Sequence, residues 1–198
     1  AFSENNLLSD LTIPSTVEKI GSRAFWGASI TELTIPGNVK EIGSDAFFTG
    51  KLSNLTLEEG IETIGRRAFK SNSLTEVRIP KSVTKLDKSA FDENKGINIR
   101  YVSLIEILEE AEKIDTEGKP EENVKALEEA IEAGKAINNK ALATLEEVNA
   151  AIESITNAIN ALEDKPVTYT VKFIVNEEGA TIQVKKGEDV LEPETDGS

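Results

Sequence analysis

Four stretches of this chain align without a gap: LTIPSTVEKIGSRAF from Leu11, LTIPGNVKEIGSDAF from Leu33, LTLEEGIETIGRRAF from Leu55 and VRIPKSVTKLDKSAF from Val77. The period is 22 residues each time, and Ile99 falls on the same phase. A fixed period of this length marks a coil of stacked turns, each of which buries its apolar side against the next. Leu8, Ile30, Leu52 and Leu74 form a further column, three residues before each start.

The spacing predicts the path of each turn. Apolar residues at 30, 33 and 35, with a polar residue between 33 and 35, describe a short strand that buries alternate side chains. Pro14, Pro36 and Pro80 end that strand in three turns, and Glu58 stands there in the third. Val17/Ile20, Val39/Ile42, Ile61/Ile64 and Val83/Leu86 return the chain to the core on a second edge. Gly21, Gly43 and Gly65 are expected to turn it next with positive φ, and Asp87 to tolerate that conformation in the fourth turn. Phe25, Phe47, Phe69 and Phe91, each preceded by Ala, stack as a phenylalanine spine, each contributing about 1.5–3 kcal/mol on burial.

The pattern L-x-x-L-x-I-P-x-x-V-x-x-I-G-x-x-A-F closely resembles the BspA-like (treponemal-type) leucine-rich repeat. It departs from the commoner repeat that ends in an asparagine ladder, because that column reads Thr16, Asn38, Gly60 and Ser82. The resemblance implies a leucine-rich-repeat solenoid of a bacterial surface protein, some relatives of which are adhesins for host matrix proteins. Ala1-Phe2 fits the A-F position with one extra residue before Leu11, so further repeats are expected upstream.

Composition narrows the chemistry. The 198 residues contain no Cys, His or Met, which removes thiol nucleophiles, imidazole bases and zinc sites of the Cys/His type. Packing alone must hold the fold, because no disulfide can form. The net charge of −14 is uneven: residues 1–102 carry 13 basic and 13 acidic side chains, 103–165 carry 6 and 16, and 166–198 carry 3 and 7. Nothing supplies a basic footprint for nucleic acid or an anionic membrane. No apolar stretch is long enough for a transmembrane helix.

From Ser103 the apolar period becomes helical. Ser103 and Glu106 read as a capping box opening a helix with Leu104, Ile107, Leu108, Ala111 and Ile114 on its apolar face. Pro120 is placed as the first residue of a second helix that buries Val124, Leu127, Ile131 and Ile137, with Glu121 and Glu122 favouring its start and Asn138-Asn139 stopping it. Thr144 and Glu147 repeat the box ahead of Val148, Ile152, Ile155, Ile159 and Leu162. Short connections predict an antiparallel three-helix bundle. LEEAIEAGKAINNKALATLEEVNAAIESITNAINAL resembles the FIVAR module of Gram-positive surface proteins, although the aromatic residues many members carry early in the second helix are absent. Only Tyr101-Val102 joins the last repeat strand to Ser103, so the first helix is expected to pack on the solenoid end.

Residues 167–175 and 180–185 alternate like the strands of a hairpin, and Val190-Leu191 follow another turn. This segment weakly resembles small β modules of the Listeria–Bacteroides repeat or mucin-binding kind. The expected architecture is therefore multidomain α+β: a solenoid over 1–102, a FIVAR-like bundle over 103–165, and a partial C-terminal β module over 166–198.

Three functions compete on these readings. One is a non-enzymatic adhesion protein of the cell surface or cell wall, whose solenoid engages an external protein or glycan. The second is a spacer or stalk for another domain. The third is a carboxylate enzyme, for which Glu32 and Glu76 would stand roughly 10 Å apart on one sheet face, slightly beyond the inverting-glycosidase range and with no evident cleft. The candidate binding residues are the outward Thr12, Glu32, Thr34, Asn54, Thr56, Glu76 and Arg78 of the first sheet, continued by Asp10, Asn98 and Arg100. Trp26 and Phe48 add an aromatic pair that is either exposed for protein or sugar contacts or packed under the neighbouring loops. No cofactor, metal, nucleic acid or membrane insertion is expected.

Overall fold

The computed structural model describes residues 2–163, 169–176, 179–186 and 189–191, with side chains described up to residue 162. The expected stretches 166–168 and 192–198 of the last segment lie outside the described residues, as do the turn centres at 177–178 and 187–188.

Each turn of the coil carries a front strand and a two-residue back strand. The back strands are β1 (Lys19–Ile20), β3 (Glu41–Ile42), β5 (Thr63–Ile64) and β7 (Lys85–Leu86). They form one parallel sheet in the order β1-β3-β5-β7, in steps of 22 residues, such as Ile20↔Ile42 and Ile42↔Ile64. The front strands are β2 (Glu32–Ile35), β4 (Asn54–Leu57), β6 (Glu76–Ile79) and β8 (Asn98–Tyr101). These do not make one sheet: among the described residues β2 pairs only with β4, and β6 only with β8. Leu11–Ile13, expected as the first front strand, is not a strand.

Between the two edges lies the core. Leu33, Ile35, Val39, Ile42, Ile61, Ile64, Val77, Ile79 and Val83 are buried. Phe2, Phe25, Phe47, Phe69 and Phe91 stack face to face with ring centroids 5.1–5.7 Å apart. Phe2 joins the stack 23 residues before Phe25, in keeping with the extra residue read from the sequence.

The glycine column has a different cause from the one expected. Gly21, Gly43 and Gly65 do not have positive φ. A Cβ on Gly43 would lie 2.6 Å from Ser22 N and 3.0 Å from Ile20 O, and one on Gly65 would lie 2.9 Å from Ser44 N. At these two positions glycine is there because the backbones of successive turns touch, whereas a Cβ on Gly21, in the first turn, would meet nothing within 4 Å. The left-handed conformation falls two residues later, on Arg23, Asp45 and Arg67, and again on Gly27, Thr49, Ser71 and Glu93. Asp87 is not left-handed either; its carboxylate accepts from Ser89 N at 2.9 Å and Ser89 Oγ at 2.6 Å, and Ser89 leaves the left-handed column. The Ser89 hydroxyl, then its N–H, holds the Asp87 carboxyl below the usual carboxylate range.

An asparagine ladder is also present, in a column the sequence reading did not single out. Asn72 Oδ1 accepts from Leu52 N at 3.1 Å, while Nδ2 donates to Phe47 O and Phe69 O, both at 2.9 Å. Asn94 repeats this one turn on, with Leu74 N, Phe69 O and Phe91 O. Both side chains are buried and satisfy backbone groups that the tight turn leaves without partners.

Three helices follow: α1 (Val102–Ala111), α2 (Glu121–Asn138) and α3 (Leu145–Glu163). α1 begins at Val102, directly from β8, with no side-chain cap. The capping box expected from Ser103 and Glu106 does not form, because Glu106 reaches back to Lys81 Nζ at 2.8 Å. The second box does form: Thr144 N donates to Glu147 Oε2 at 2.9 Å and Glu147 N to Thr144 Oγ1 at 3.2 Å. Pro120 is the residue before α2 rather than its first, with Glu121 and Glu122 in the opening turn. Gly134 lets the helices close, since a Cβ there would lie 2.8 Å from Ile155 Cδ1 and 3.1 Å from Leu108 Cδ2. Lys119 Nζ donates to Leu162 O and Asn123 Nδ2 to Ala161 O, tying the start of α2 to the end of α3. Strands β9 (Tyr169–Asn176), β10 (Gly179–Lys186) and β11 (Asp189–Leu191) pair antiparallel in the order β11-β10-β9.

The helices and the solenoid share one core, with Leu104 and Leu108 in it. As expected α1 joins the solenoid end, and the connection between α2 and α3 adds a second contact: Tyr101 Oη donates to Ala143 O at 2.7 Å, both residues buried. Burial, with the Glu147 carboxylate as second cause, pushes the Tyr101 hydroxyl up to about 12. The fold thus favours the neutral phenol. Its contribution is present below the unfolded value near 10 and is lost as pH rises from about 10 through about 12, up to about 2–3 kcal/mol. Tyr101→Phe is expected to lose this alkaline dependence. Urea melts at about pH 9 and about pH 11.5 check it, and identical slopes against pH in both proteins would refute the assignment.

Candidate binding faces of the solenoid

The front face is built by alternation. In β2, β4 and β6, Leu33, Leu55 and Val77 turn inward with Ile35, Leu57 and Ile79, which leaves Glu32/Thr34, Asn54/Thr56 and Glu76/Arg78 exposed. Thr12 is exposed in the first turn. Asn54 Nδ2 donates to Glu32 Oε1 at 3.0 Å across the β2–β4 pair. Arg78 Nε stands 3.6 Å from Glu76 Oε1, and with side chains 73% and 53% exposed this pair remains available to an incoming group. The row stops at β8: Arg100 Nη1 donates to Asn138 O at 2.5 Å and to Asn139 Oδ1 at 3.3 Å, so the end of α2 occupies Arg100. The expected continuation through Asn98 and Arg100 is thereby closed, because both are half-buried there.

Two crevices cut the front face between successive turns. One is lined by Leu11, Thr12, Ile13, Glu32, Leu33 and Thr34, and the other by Asn54, Leu55, Thr56, Glu76, Val77 and Arg78. Glu32 and Glu76 consequently sit on two separate sheets rather than facing one another across one. Among the described residues, no group of three or more acidic, His or Cys side chains could hold a metal.

Trp26 and Phe48 are neighbours with centroids 6.3 Å apart and planes tilted by 41°. They are half-buried rather than exposed, because guanidinium groups cover part of their faces: Arg23 lies 5.7 Å from the Trp26 ring and Arg67 5.5 Å from that of Phe48. Asp45 organises the pair. Its buried carboxylate stands 2.8 Å from Arg67 Nε, accepts from Arg67 Nη2 at 3.1 Å and lies 3.8 Å from Arg23 Nε. The sequence reading named the two rings but not this Arg-Asp-Arg column. The signal was present, since opposite charges at 23, 45 and 67 fall one turn apart and must stack.

No described helix is long and apolar enough to cross a membrane. The model of the BspA type leucine rich repeat region matches residues 1–110, in six copies. No curated protein matches the chain. Two solved structures resemble it: a leucine rich cell surface protein from Faecalibacterium prausnitzii A2-165, 20% identical over 47% of this chain and 46% of that one, with a TM-score of 0.20, and a leucine-rich repeat protein from Bacteroides ovatus ATCC 8483, 16% identical over 51% of each, with a TM-score of 0.21. The chain spans about half the length of both.

Proposed function

The chain belongs to the BspA type leucine rich repeat family, and from that premise we propose that it is a non-enzymatic binding protein of a bacterial cell surface or cell wall, whose solenoid engages an external protein or glycan. The observation that carries this is the front face. Glu32, Thr34, Asn54, Thr56, Glu76 and Arg78 project from the strands and Thr12 from the first turn beside them, and all seven are exposed. Mixed charge, amide and hydroxyl groups on one face suit a polar partner surface. Trp26 and Phe48, with Arg23 and Arg67 stacked on them, form a second, more apolar patch of the kind that anchors contacts. The balanced charge of the solenoid offers nothing to nucleic acid, and this segment inserts in no membrane.

The domain division at 102 and 165 belongs to the same reading, with 103–165 as a FIVAR-like antiparallel bundle of Gram-positive type and 166–198 as a small β module. A second reading, a stalk, is favoured by the junction: β8 runs into α1 without a linker, and Arg100, Tyr101 and Lys81 are each tied to the helical segment. Such a junction transmits orientation instead of absorbing it.

A screen of the full chain against matrix proteins and glycans separates the two. Binding at micromolar strength or weaker is expected, with avidity supplied by many copies on a cell. It should fall at least about tenfold in Glu32→Ala/Arg78→Ala or in Trp26→Ala/Phe48→Ala. Binding indifferent to both pairs would reject these faces, and no binding by a protein that retains its fold would favour the stalk.

A further inference from the structure

The residue that ends the front segment of each turn is, in order, Pro14, Pro36, Glu58, Pro80 and Val102. In a stacked parallel coil the N–H of that residue closes the strand onto the turn before, as Glu58 N does by donating to Ile35 O at 3.0 Å. Proline has no N–H to give. The front pairing follows the column at every junction. β2 pairs with β4, where the column holds Glu58, and β6 pairs with β8, where it holds Val102. Among the described residues no strand pairing joins the first turn to β2, where it holds Pro36, or β4 to β6, where it holds Pro80.

Two further observations alternate in the same way. At the start of the strand, Asn54 N donates to Thr31 O at 3.2 Å and Asn98 N to Thr75 O at 2.8 Å, while Glu32 N and Glu76 N in the same column make no such bond. Down the core column, Leu33, Val77 and Ile99 are buried, whereas Leu11 and Leu55, each on the upstream lip of an unpaired junction, are half-exposed. Both crevices of the front face lie at those junctions. The back of the coil does not share the alternation: its sheet runs unbroken from β1 to β7, and the rings at Phe25, Phe47, Phe69 and Phe91 keep a spacing of 5.1–5.3 Å.

We propose that Pro36 and Pro80 are seams that divide the solenoid into two-turn blocks, hinged at the phenylalanine spine and free to open and close at the front. The device is independent of the binding reading, but it acts on the same face. Thr34 and Thr56 belong to one block and keep their separation, whereas Thr56 and Arg78 stand on opposite lips of the Pro80 seam and move relative to each other. Each proline withholds one donor, and at the Pro80 seam the turns stay joined on either side of the strands, by Ser73 N donating to Leu52 O at 2.8 Å and by the N–H groups of Lys81 and Ser82 donating to the Glu59 carboxylate, so the opening is confined to the strand segment between them.

Amide hydrogen exchange followed by NMR on the full chain tests this. The amides of Glu32 and Glu76 are expected to exchange at least about a hundredfold faster than those of Asn54 and Asn98. Pro80→Val, which puts there the residue found at 102, should slow Glu76 by about that factor and leave Glu32 fast. Glu58→Pro should open the paired junction and speed Asn54 in the same measure. Equal protection of the four amides in the unaltered chain, or a Glu76 amide that stays fast in Pro80→Val, would overturn the proposal.

Discussion

Phe69→Ala is expected to lower the free energy of unfolding by about 3–5 kcal/mol, the cost of removing a buried aromatic ring from a site that cannot collapse around the loss. Phe69 is fully buried and stacks at 5.3 Å on Phe47 on one side and Phe91 on the other, with planes within 1° and 6° of parallel. The neighbouring rings cannot close the gap, because the hydrogen bonds from Phe47 N to Ala68 O and from Phe69 N to Ala90 O, each 2.8 Å, fix the spacing of the turns. In a coil where each turn contacts only its neighbours, a defect in a middle turn also weakens the coupling between the two ends. Urea melts should therefore show a lower midpoint and a shallower slope. Trp26→Ala is the comparison. That ring is half-buried and contacts one aromatic neighbour and one guanidinium, so its loss should be clearly smaller. Equal losses would mean that Trp26 belongs to the core and would remove it from the binding surface.

Asn72→Ala is expected to cost about 2–5 kcal/mol although it deletes few atoms. It leaves Leu52 N, Phe47 O and Phe69 O without the partner each now has, and a buried polar group left unsatisfied costs roughly 1–3 kcal/mol. The side chain fits because residue 50 is glycine, where a Cβ would stand 2.5 Å from Asn72 Oδ1. Gly50→Ala should accordingly be destabilising by itself, and the double variant should cost less than the two single losses added together. Strict additivity in denaturant melts would show that the two positions act separately and that the ladder is not what makes residue 50 glycine.

Much of the architecture could be read before any coordinates because the repeat is a translation. A 22-residue step superimposes each turn on the next, so a position that faces the core in one turn faces it in all, and Phe25, Phe47, Phe69 and Phe91 declare themselves by chemistry alone. The Thr144/Glu147 box and the acidic start of α2 were legible because capping is local, decided within one helical turn of chain. The chain's lack of Cys and His likewise bounds its chemistry whatever the fold.

What only the tertiary structure decided are the features whose cause lies one turn away or in another element. Gly43 and Gly65 look like turn glycines in sequence, yet the adjacent backbone requires them. Asn72 and Asn94 look like loop residues, yet they bond the turn before. Ser103 and Glu106 spell a capping box, but the helix starts two residues earlier, straight from the strand, and Lys81 holds the carboxylate. The prolines read as ends of strands, and only the stack reveals that each one withholds the donor its neighbour needs. Sequence periodicity specifies which side chains are buried, because burial follows from apolarity. Contacts between turns depend on distances of a few ångströms that no single turn contains.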